Sequence, residues 1–169
     1  MKYLIVSDIH GSSLGGCRLK EALIREKPDC LLLLGDLLFG AYDGDPDFVA
    51  GLIRSHAEKV VAVAGNCDDV YEDQTRLGID LEMRRELSCC GRKVIMQHRP
   101  FSAPLEKKAV LLYGHTHRKC LYEEDGVIFC NPGSIALPRD DCPGYAVLEP
   151  RRIALFNAIN GLALSEILL

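Results

Sequence analysis

The sequence lacks both an excess of positive charge and any long apolar run. It has 20 lysines and arginines against 24 aspartates and glutamates, and its formal net charge is −4. This balance argues against a protein that holds nucleic acid by general electrostatics. The longest apolar runs fall far short of the ~20 residues that span a bilayer. We therefore expect neither stable nucleic-acid binding nor insertion into a membrane.

The sequence also lacks a C-x-x-C pair, although it contains eight cysteines. The cysteines are scattered, and those within strand-like runs are expected to behave as small buried hydrophobic residues in a reducing compartment. The first residues lead directly into a strand-like run, without the apolar region and cleavage site of a signal peptide. We expect a cytoplasmic protein with a single domain over residues 1–169.

Five apolar runs of strand length, separated in the first part of the chain by helical patterns, predict the fold class. Because these runs are nearly continuous rather than alternating, we expect strands that are covered on both faces. A helix is predicted over 14–26, ended by Pro28, and another from Asp45-Pro46 to about His56. Strands joined by crossover helices are typical of an α/β sheet. The five strands are predicted over 2–6, 30–34, 59–64, 93–96 and 109–113.

Polar residues of a particular kind follow each of these five strands. In open α/β sheets, ligands bind beyond the carboxyl ends of the strands, so we expect these groups to gather at one edge. Four of the five histidines in the chain belong to the set, and only His56 lies outside it. In strand order the groups are Asp8 with His10, Asp36, Asn66 with Cys67 and Asp68, His98, and His115 with His117.

The alternative for each group is a turn or a helix cap, which is the more frequent role of a single Asp or His after a strand. The spacing of D-x-H and H-x-H favours a pair of ligands over a turn, because alternate side chains of an extended segment point the same way. Groups able to bind a metal occur after all five strands. This repeated placement of ligand-type residues at strand ends favours a metal centre over a set of coincidental turns.

These motifs resemble those of the calcineurin-like metallophosphoesterases. The chain carries five motifs in the order of that family: D-x-H, GD, GN-x-D, a single His after a strand, and GH-x-H. Two further details, GNCD and NPGS, are similar to its small bacterial and archaeal phosphodiesterase branch. Together these motifs cover residues 7–134. The resemblance implies an α/β fold, a four-layer αββα sandwich of two mixed β-sheets flanked by helices. The segments expected to build the second sheet are a hairpin over 81–97 turning at Cys90-Gly91, a hairpin over 122–130, and strands over 145–148, 153–156 and 162–167.

The resemblance further implies two divalent transition-metal ions per chain. Ligands of nitrogen and oxygen suit such ions; manganese is favoured, with nickel, cobalt, iron and zinc as alternatives. The implied ligands are Asp8, His10 and His117 for the first ion and Asn66, His98 and His115 for the second, with Asp36 bridging the two.

The implied activity is hydrolysis of a small-molecule phosphodiester by a hydroxide that bridges the two metals. Catalysis is expected to rest on Asp36, Asn66 and Asp68, and substrate contact on Cys67, Arg99 and Arg118. For the two arginines, a solvated side chain is an equally good interpretation. For Cys67, a small packed residue is favoured over a catalytic thiol. This cysteine stands where many relatives carry a histidine that protonates the leaving group, which favours substrates with good leaving groups.

The alternative function is a catalytically weak scaffold that binds partners, as the retromer subunit of this family does. Because all seven expected ligand positions are kept, the enzyme is favoured. The resemblance also implies a homodimer or a larger homo-oligomer. The segment between His98 and His115 is short, and Pro100 stands where relatives often have a second histidine, so we expect an open site. The NPGS segment, 131–134, is expected to be a structural turn at its rim.

Overall fold

Two β-sheets and a set of helices form the frame of the computed structural model, which describes residues 1–89, 91–100 and 105–169. In chain order the described elements are β1 (Tyr3–Val6), α1 (Ser13–Glu26), β2 (Cys30–Leu33), α2 (Pro46–Arg54), a 3₁₀ turn (Ala57–Lys59), β3 (Val60–Val63), α3 (Val70–Leu77), β4 (Leu81–Glu82), β5 (Arg84–Cys89), β6 (Arg92–Gln97), β7 (Val110–Leu112), β8 (Lys119–Glu124), β9 (Val127–Pro132), β10 (Gly144–Glu149), β11 (Arg152–Asn157) and β12 (Ala163–Leu168).

Both sheets combine parallel and antiparallel strands. Among the described residues, the first sheet has the order β12-β11-β10-β1-β2-β3-β4, and the second has the order β5-β6-β7-β9-β8. In the first sheet, β1 to β4 run parallel and β10 to β12 are antiparallel. In the second, β6, β7 and β9 run parallel, whereas β5 and β8 are antiparallel to their neighbours. The predicted α/β class with two mixed sheets and flanking helices is therefore confirmed.

The central strands of the first sheet are buried on both faces, which explains their continuous apolar sequence. Leu4 and Leu31 belong to the core beneath the helices, whereas Ile5 and Leu32 belong to the core between the sheets. Each of these side chains has an exposed fraction of 1% or less. Burying one such side chain stabilises the fold by about 1.5–3 kcal/mol, so a polar residue on either face would be costly.

The two predicted helices begin and end where their capping residues indicate. The hydroxyl of Ser12 accepts a hydrogen bond from the amide of Gly15 at the start of α1, and the helix ends at Lys27, which has a left-handed backbone. Asp45 caps α2 by accepting from the amide of Phe48, and Pro46 occupies the first turn. In each case the cap satisfies an amide that the helix itself leaves unpaired.

The third helix, α3, is absent from the sequence prediction. It is short and largely polar, with Asp73 and Leu77 as its buried residues, so few apolar residues mark it in the sequence. The available signal was its capping: Asp69 accepts hydrogen bonds from the amides of Tyr71 and Glu72, and the helix ends at Gly78 with φ 69°. An acidic N-cap such as Asp69, followed by a C-terminal glycine such as Gly78, is a weak sequence signal for a short helix.

The C-terminal strands β10 to β12 lie in the first sheet, so their predicted place in the second sheet is wrong. β10 pairs antiparallel with β1, with Tyr3 opposite Leu148. Its side chains are buried on both faces: Tyr145 belongs to the core beneath the helices, and Ala146 belongs to the core between the sheets. A strand that is apolar on both faces is stabilised most at a central position, and β1 offers a free edge there.

The predicted hairpin over 81–97 is divided between the two sheets. Leu81–Glu82 pairs parallel with β3 in the first sheet, and the hairpin proper joins β5 to β6 in the second. Its predicted turn residue Cys90 lies outside the described residues. The other predicted hairpin is present as β8 and β9.

The described helices contribute side chains to the core of the first sheet. The outer face of the second sheet carries a smaller cluster that includes Ile95, Leu111 and Tyr113. In the described part of the chain this cluster contains no helical residue. No described helix is long and apolar enough to cross a membrane.

Candidate metal centre

Polar side chains from the ends of five strands converge at one end of the two-sheet frame. Asp8 and His10 follow β1, Asp36 follows β2, and Asn66 follows β3. The remaining histidines follow β6 and β7, which belong to the second sheet. The sequence prediction placed all five strands at one edge. In the structure these strands belong to two stacked sheets, and the polar side chains that follow them still converge.

Several of the expected ligands occupy a backbone conformation that non-glycine residues rarely adopt. A left-handed residue other than glycine costs on the order of 1–3 kcal/mol and persists only where the surrounding structure enforces it. Such strain concentrates at functional sites, and nothing in the residue pattern predicted it. The ligand positions with positive φ are Asp8, His10 and Asp36 at 54°, His115 at 67° and His117 at 58°.

Main-chain hydrogen bonds between neighbouring loops hold this strained backbone in place. The amide of Asp8 donates to the carbonyl of Gly35 at 3.1 Å, and that of His10 donates to the carbonyl of Asp36 at 2.9 Å. The amide of Gly114 donates to the carbonyl of His98 at 2.9 Å, which fixes the loop after β7 to the loop after β6. The side chains are therefore displayed by a rigid set of connected loops.

Three histidine rings are each oriented by a main-chain carbonyl. Nδ1 of His10 lies 2.8 Å from the carbonyl oxygen of Phe39. Nδ1 of His98 lies 2.7 Å from that of Leu34, and Nδ1 of His117 lies 2.7 Å from that of Leu137. A carbonyl can only accept, so Nδ1 carries the proton in each ring. Each Nε2 is thereby turned towards the centre, where a neutral ring presents a lone pair, as in metal-binding histidines.

The first group of ligand atoms comprises acceptors that face one another. Nε2 of His10 and Nε2 of His117 are 3.2 Å apart, and Oδ1 of Asp8 lies 3.3 Å from Nε2 of His117. Oδ1 of Asp8 is buried and has no hydrogen-bond partner. Lone pairs that converge without a donor repel one another, whereas a cation between them would bind all three. These residues therefore fit a divalent metal.

The second group has the same character and shares Asp36 with the first. Oδ2 of Asp36 lies 3.4 Å from Nε2 of His98 and 3.7 Å from Nε2 of His10. Nε2 of His98 also lies 3.2 Å from Oδ1 of Asn66. His115 is half-buried, and its ring meets that of His98 edge-on with centroids 5.1 Å apart. Oδ2 of Asp36 thus lies between Nε2 of His10 in the first group and Nε2 of His98 in the second.

The charge state of Asp36 is fixed by its neighbours. Burial would raise the pKa of its carboxyl group, but hydrogen bonds from His98 and from the amide of Cys67 hold that pKa well below its ordinary value. Burial would also lower the pKa of His98, but the carboxylate of Asp36 raises it overall. A proton is therefore attracted to the same position between these groups that a metal cation would occupy.

Cys67 lies at the edge of the ligand cluster with an exposed side chain. Its sulfur forms a possible ligand group with His10 and Asp36, in which all the atoms lie within 4.8 Å of one another. Burial and the negative charge of Asp36 raise the pKa of the Cys67 thiol to about 11. A thiol with this pKa is a weak general acid at neutral pH.

Asp68 faces the main chain and not the ligand cluster. Its Oδ2 accepts hydrogen bonds from the amides of Asp36 and Gly65, each at 2.7 Å, and its Oδ1 accepts from the amide of Leu37 at 2.7 Å. All three partners are main-chain donors, which favours the ionised carboxylate, but burial raises the pKa of the Asp68 carboxyl group above its ordinary value overall. These contacts tie Asp68 to the left-handed backbone of Asp36, and its expected catalytic role stays a prediction.

The two arginines expected near the substrate are both exposed. Arg99 is close enough to His115 for its charge to contribute, after burial and His98, to a lowered pKa of that histidine. Arg99 also lines a cleft beside Asn66 and His98. Arg118 follows His117 and is absent from the described lining of that cleft. The structure thus brings Arg99, and not Arg118, to the cleft beside the ligands.

The NPGS segment, expected from the sequence to be a structural turn, also forms hydrogen bonds to the loops that carry the ligands. Asn131 is fully buried, and its side-chain amide donates to the carbonyl of Gly114 at 2.8 Å. The hydroxyl of Ser134 donates to the carbonyl of Asp8 at 2.7 Å. These two side chains join the loops that carry both halves of the first ligand group.

We expect Gly65→Ala to destabilise the fold, because a Cβ at this position would overlap both the carboxylate and the amide nitrogen of Asp36. Forcing extra atoms into a packed site costs about 1–3 kcal/mol, measurable as a lower free energy of unfolding in denaturant. Gly51→Ala is the matched control, since nothing lies within 4 Å of its added Cβ and alanine favours the helix. Equal stability of the two variants would contradict the packing described for Gly65.

The sequence profile of the calcineurin-like phosphoesterase superfamily domain matches residues 1–152. The chain therefore belongs to the calcineurin-like phosphoesterase superfamily. It is 30% identical over 162 residues to the phosphodiesterase YfcE of Escherichia coli strain K12, with 88% of each chain covered. Membership of this family supports a hydrolase activity, and the predicted resemblance to its small bacterial and archaeal branch is confirmed.

Solved structures show the same fold. The structure of YfcE, a phosphoesterase from E. coli, superposes with a TM-score of 0.92 at 25% identity and covers 99% of this chain and 98% of that one. An archaeal phosphodiesterase gives a TM-score of 0.66 at 19% identity, with 100% of each chain covered. Vps29 from Entamoeba histolytica, in a complex with zinc, gives 0.69 at 18% identity, with 99% of each covered. The last two establish likeness of fold alone.

Proposed function

We propose that this protein is a metal-dependent phosphodiesterase. The observation that carries the proposal is the first ligand group, in which Asp8, His10 and His117 turn acceptor atoms towards one another with no donor among them. Without a cation, the buried acceptors of this group destabilise the fold because they have no donor. A bound divalent cation would satisfy all three of them. The 30% identity to a curated phosphodiesterase supports the choice of reaction.

In this proposal the chain holds two divalent cations. When bound, the ions would lower the pKa of a coordinated water and neutralise charge on the phosphate oxygens. The chain itself fixes the ligands: the carbonyls of Phe39, Leu34 and Leu137 set the ring tautomers. The proposed ligands are Asp8, His10 and His117 for one ion and Asn66, His98 and His115 for the other, with Asp36 between them.

The preference for a diester follows from charge. Two divalent cations, two aspartates and a hydroxide leave a formal site charge of about +1. A diester brings one negative charge and can be bound and released, whereas a monoester dianion would bind the ground state more tightly. Cys67, with a pKa of about 11, is poorly suited to protonate an alkoxide, so good leaving groups are favoured.

The test is turnover of bis-p-nitrophenyl phosphate with Mn²⁺, compared with p-nitrophenyl phosphate and with an EDTA-treated sample. We expect the diester to have the higher kcat/KM and EDTA to abolish turnover, because every proposed contact with the phosphate oxygens passes through the ligand cluster. Restoring activity with Mn²⁺, Ni²⁺, Co²⁺, Fe²⁺ or Zn²⁺ would rank the metals. If elemental analysis finds bound metal but no ion supports diester turnover, the proposal of an enzyme is wrong and a scaffold is favoured.

A further inference from the structure

A cleft of about 450 Å³ opens directly beside the second ligand group. Asn66 and His98 form part of its lining, so the cleft is continuous with the proposed metal centre. Its volume lies within the range of small-molecule binding sites. The other lining residues that matter for its chemistry are Met83, Arg84, Arg99 and Pro100.

The cleft combines an apolar wall with cationic groups. Met83 lies between β4 and β5 and has an exposed fraction of 71%. Its flexible thioether packs well against flat aromatic groups. The guanidinium of Arg84 donates to Glu86 at 2.8 Å, and within the described residues no carboxylate forms an ion pair with Arg99. An aromatic group next to an anion would find complementary partners here.

The direction of the reaction indicates which part of a diester would lie in the cleft. In-line displacement places the nucleophile and the leaving group on opposite sides of phosphorus, and the ester group that is retained projects to the side. The cleft borders the ligands Asn66 and His98, so the retained ester group of a diester held by these ligands would lie beside its lining.

Resting on the proposed function, we propose that this cleft is a specificity subsite for the ester group retained on phosphorus. The group it takes is a planar aromatic ring, either a phenyl group or a nucleobase-sized ring. Met83 supplies the apolar contact, and Arg99 lies at the end nearest the phosphate. The natural substrates would then be phosphodiesters with at least one large aromatic substituent, and dialkyl diesters would be poor ligands.

The test compares Met83→Gln with the unchanged protein on two diesters that share one leaving group. Glutamine keeps the length of the side chain but removes its apolar contact, and because Met83 is exposed the core is untouched. We expect kcat/KM for bis-p-nitrophenyl phosphate to fall about tenfold, while that for methyl p-nitrophenyl phosphate changes by less than about twofold. Leu164→Gln, on the distant strand β12, is the matched apolar-to-polar control and should change neither value.

A binding measurement separates this inference from the proposed function. With Mn²⁺-loaded protein, calorimetry should show diphenyl phosphate binding at least about tenfold more tightly than dimethyl phosphate, and Met83→Gln should remove that preference. If the preference is found but no diester is turned over, the subsite stands and the proposed activity fails. Equal binding of the two diesters, or equal losses of kcat/KM on both substrates, would overturn the subsite.

Discussion

Asp36→Asn is expected to reduce diester turnover on the order of 10³-fold or more while leaving the fold intact. The carboxylate of Asp36 reaches both ligand groups, with Oδ2 lying 3.4 Å from Nε2 of His98 and 3.7 Å from Nε2 of His10. A neutral amide cannot balance two adjacent cations. The amide would instead direct an N–H towards ring nitrogens that present lone pairs, so it would satisfy them in the absence of metal.

The same geometry predicts that the variant folds. The amide of Cys67 donates to Oδ1 of Asp36 at 2.8 Å, and the side-chain oxygen of asparagine can accept this bond. Thermal unfolding of the metal-free variant should therefore match or exceed that of the metal-free parent. Elemental analysis should show that metal binding is lost.

The control for Asp36→Asn is Asp47→Asn, which makes the same chemical change at a residue of α2 whose side chain is 86% exposed. It should retain full activity and metal content, because a surface ion pair contributes little. Wild-type turnover by Asp36→Asn would show that this carboxylate does not bridge two metals.

Much of the candidate site could be predicted because its groups obey one placement rule. Asp8, Asp36 and His98 each stand within three residues of the end of a buried apolar strand, and in this structure the ends of these strands converge although they belong to two sheets. The rule survived an error in the topology: β7 lies in the second sheet, yet His115 and His117 still reach the ligands that follow β1.

What could not be predicted depends on the direction of side chains and on backbone strain. A left-handed Asp8 or His117 leaves no mark in residue type, since it is enforced by neighbouring loops. The strand β10 is apolar enough for either sheet, and only its pairing with β1 decides between them. Met83 likewise reads as an ordinary apolar residue until its exposure beside the ligands is known.

Asp68 shows how geometry can suggest a second role for a residue within a recognised motif. Its position two residues after Asn66 suggested chemistry, and burial does raise the pKa of its carboxyl group. The deciding fact is geometric. Both oxygens accept from main-chain amides: Oδ2 from Asp36 and Gly65, and Oδ1 from Leu37. A sequence pattern reports that a carboxylate is present but not whether it faces the substrate or the main chain.

We therefore expect Asp68→Asn to weaken metal binding about 10–100-fold, the usual effect of losing a group that orients ligands. Asparagine must turn an N–H towards at least one of the three amides that now donate to the carboxylate. The loss of charge-assisted bonds should also lower the free energy of unfolding by about 1.5–3 kcal/mol. The measurements are Mn²⁺ titrations followed by activity, and denaturant unfolding of the metal-free protein.

Saturating metal distinguishes positioning from catalysis at Asp68. If Asp68 acts only through the backbone of Asp36, kcat should recover to within about threefold once the sites are filled, because the groups that touch the substrate are unchanged. Asp69→Asn is the matched control: its carboxylate caps α3, asparagine caps a helix equally well, and neither metal affinity nor stability should change. A kcat that stays more than a hundredfold low at saturating Mn²⁺, with unaltered metal affinity, would instead return Asp68 to the catalytic residues.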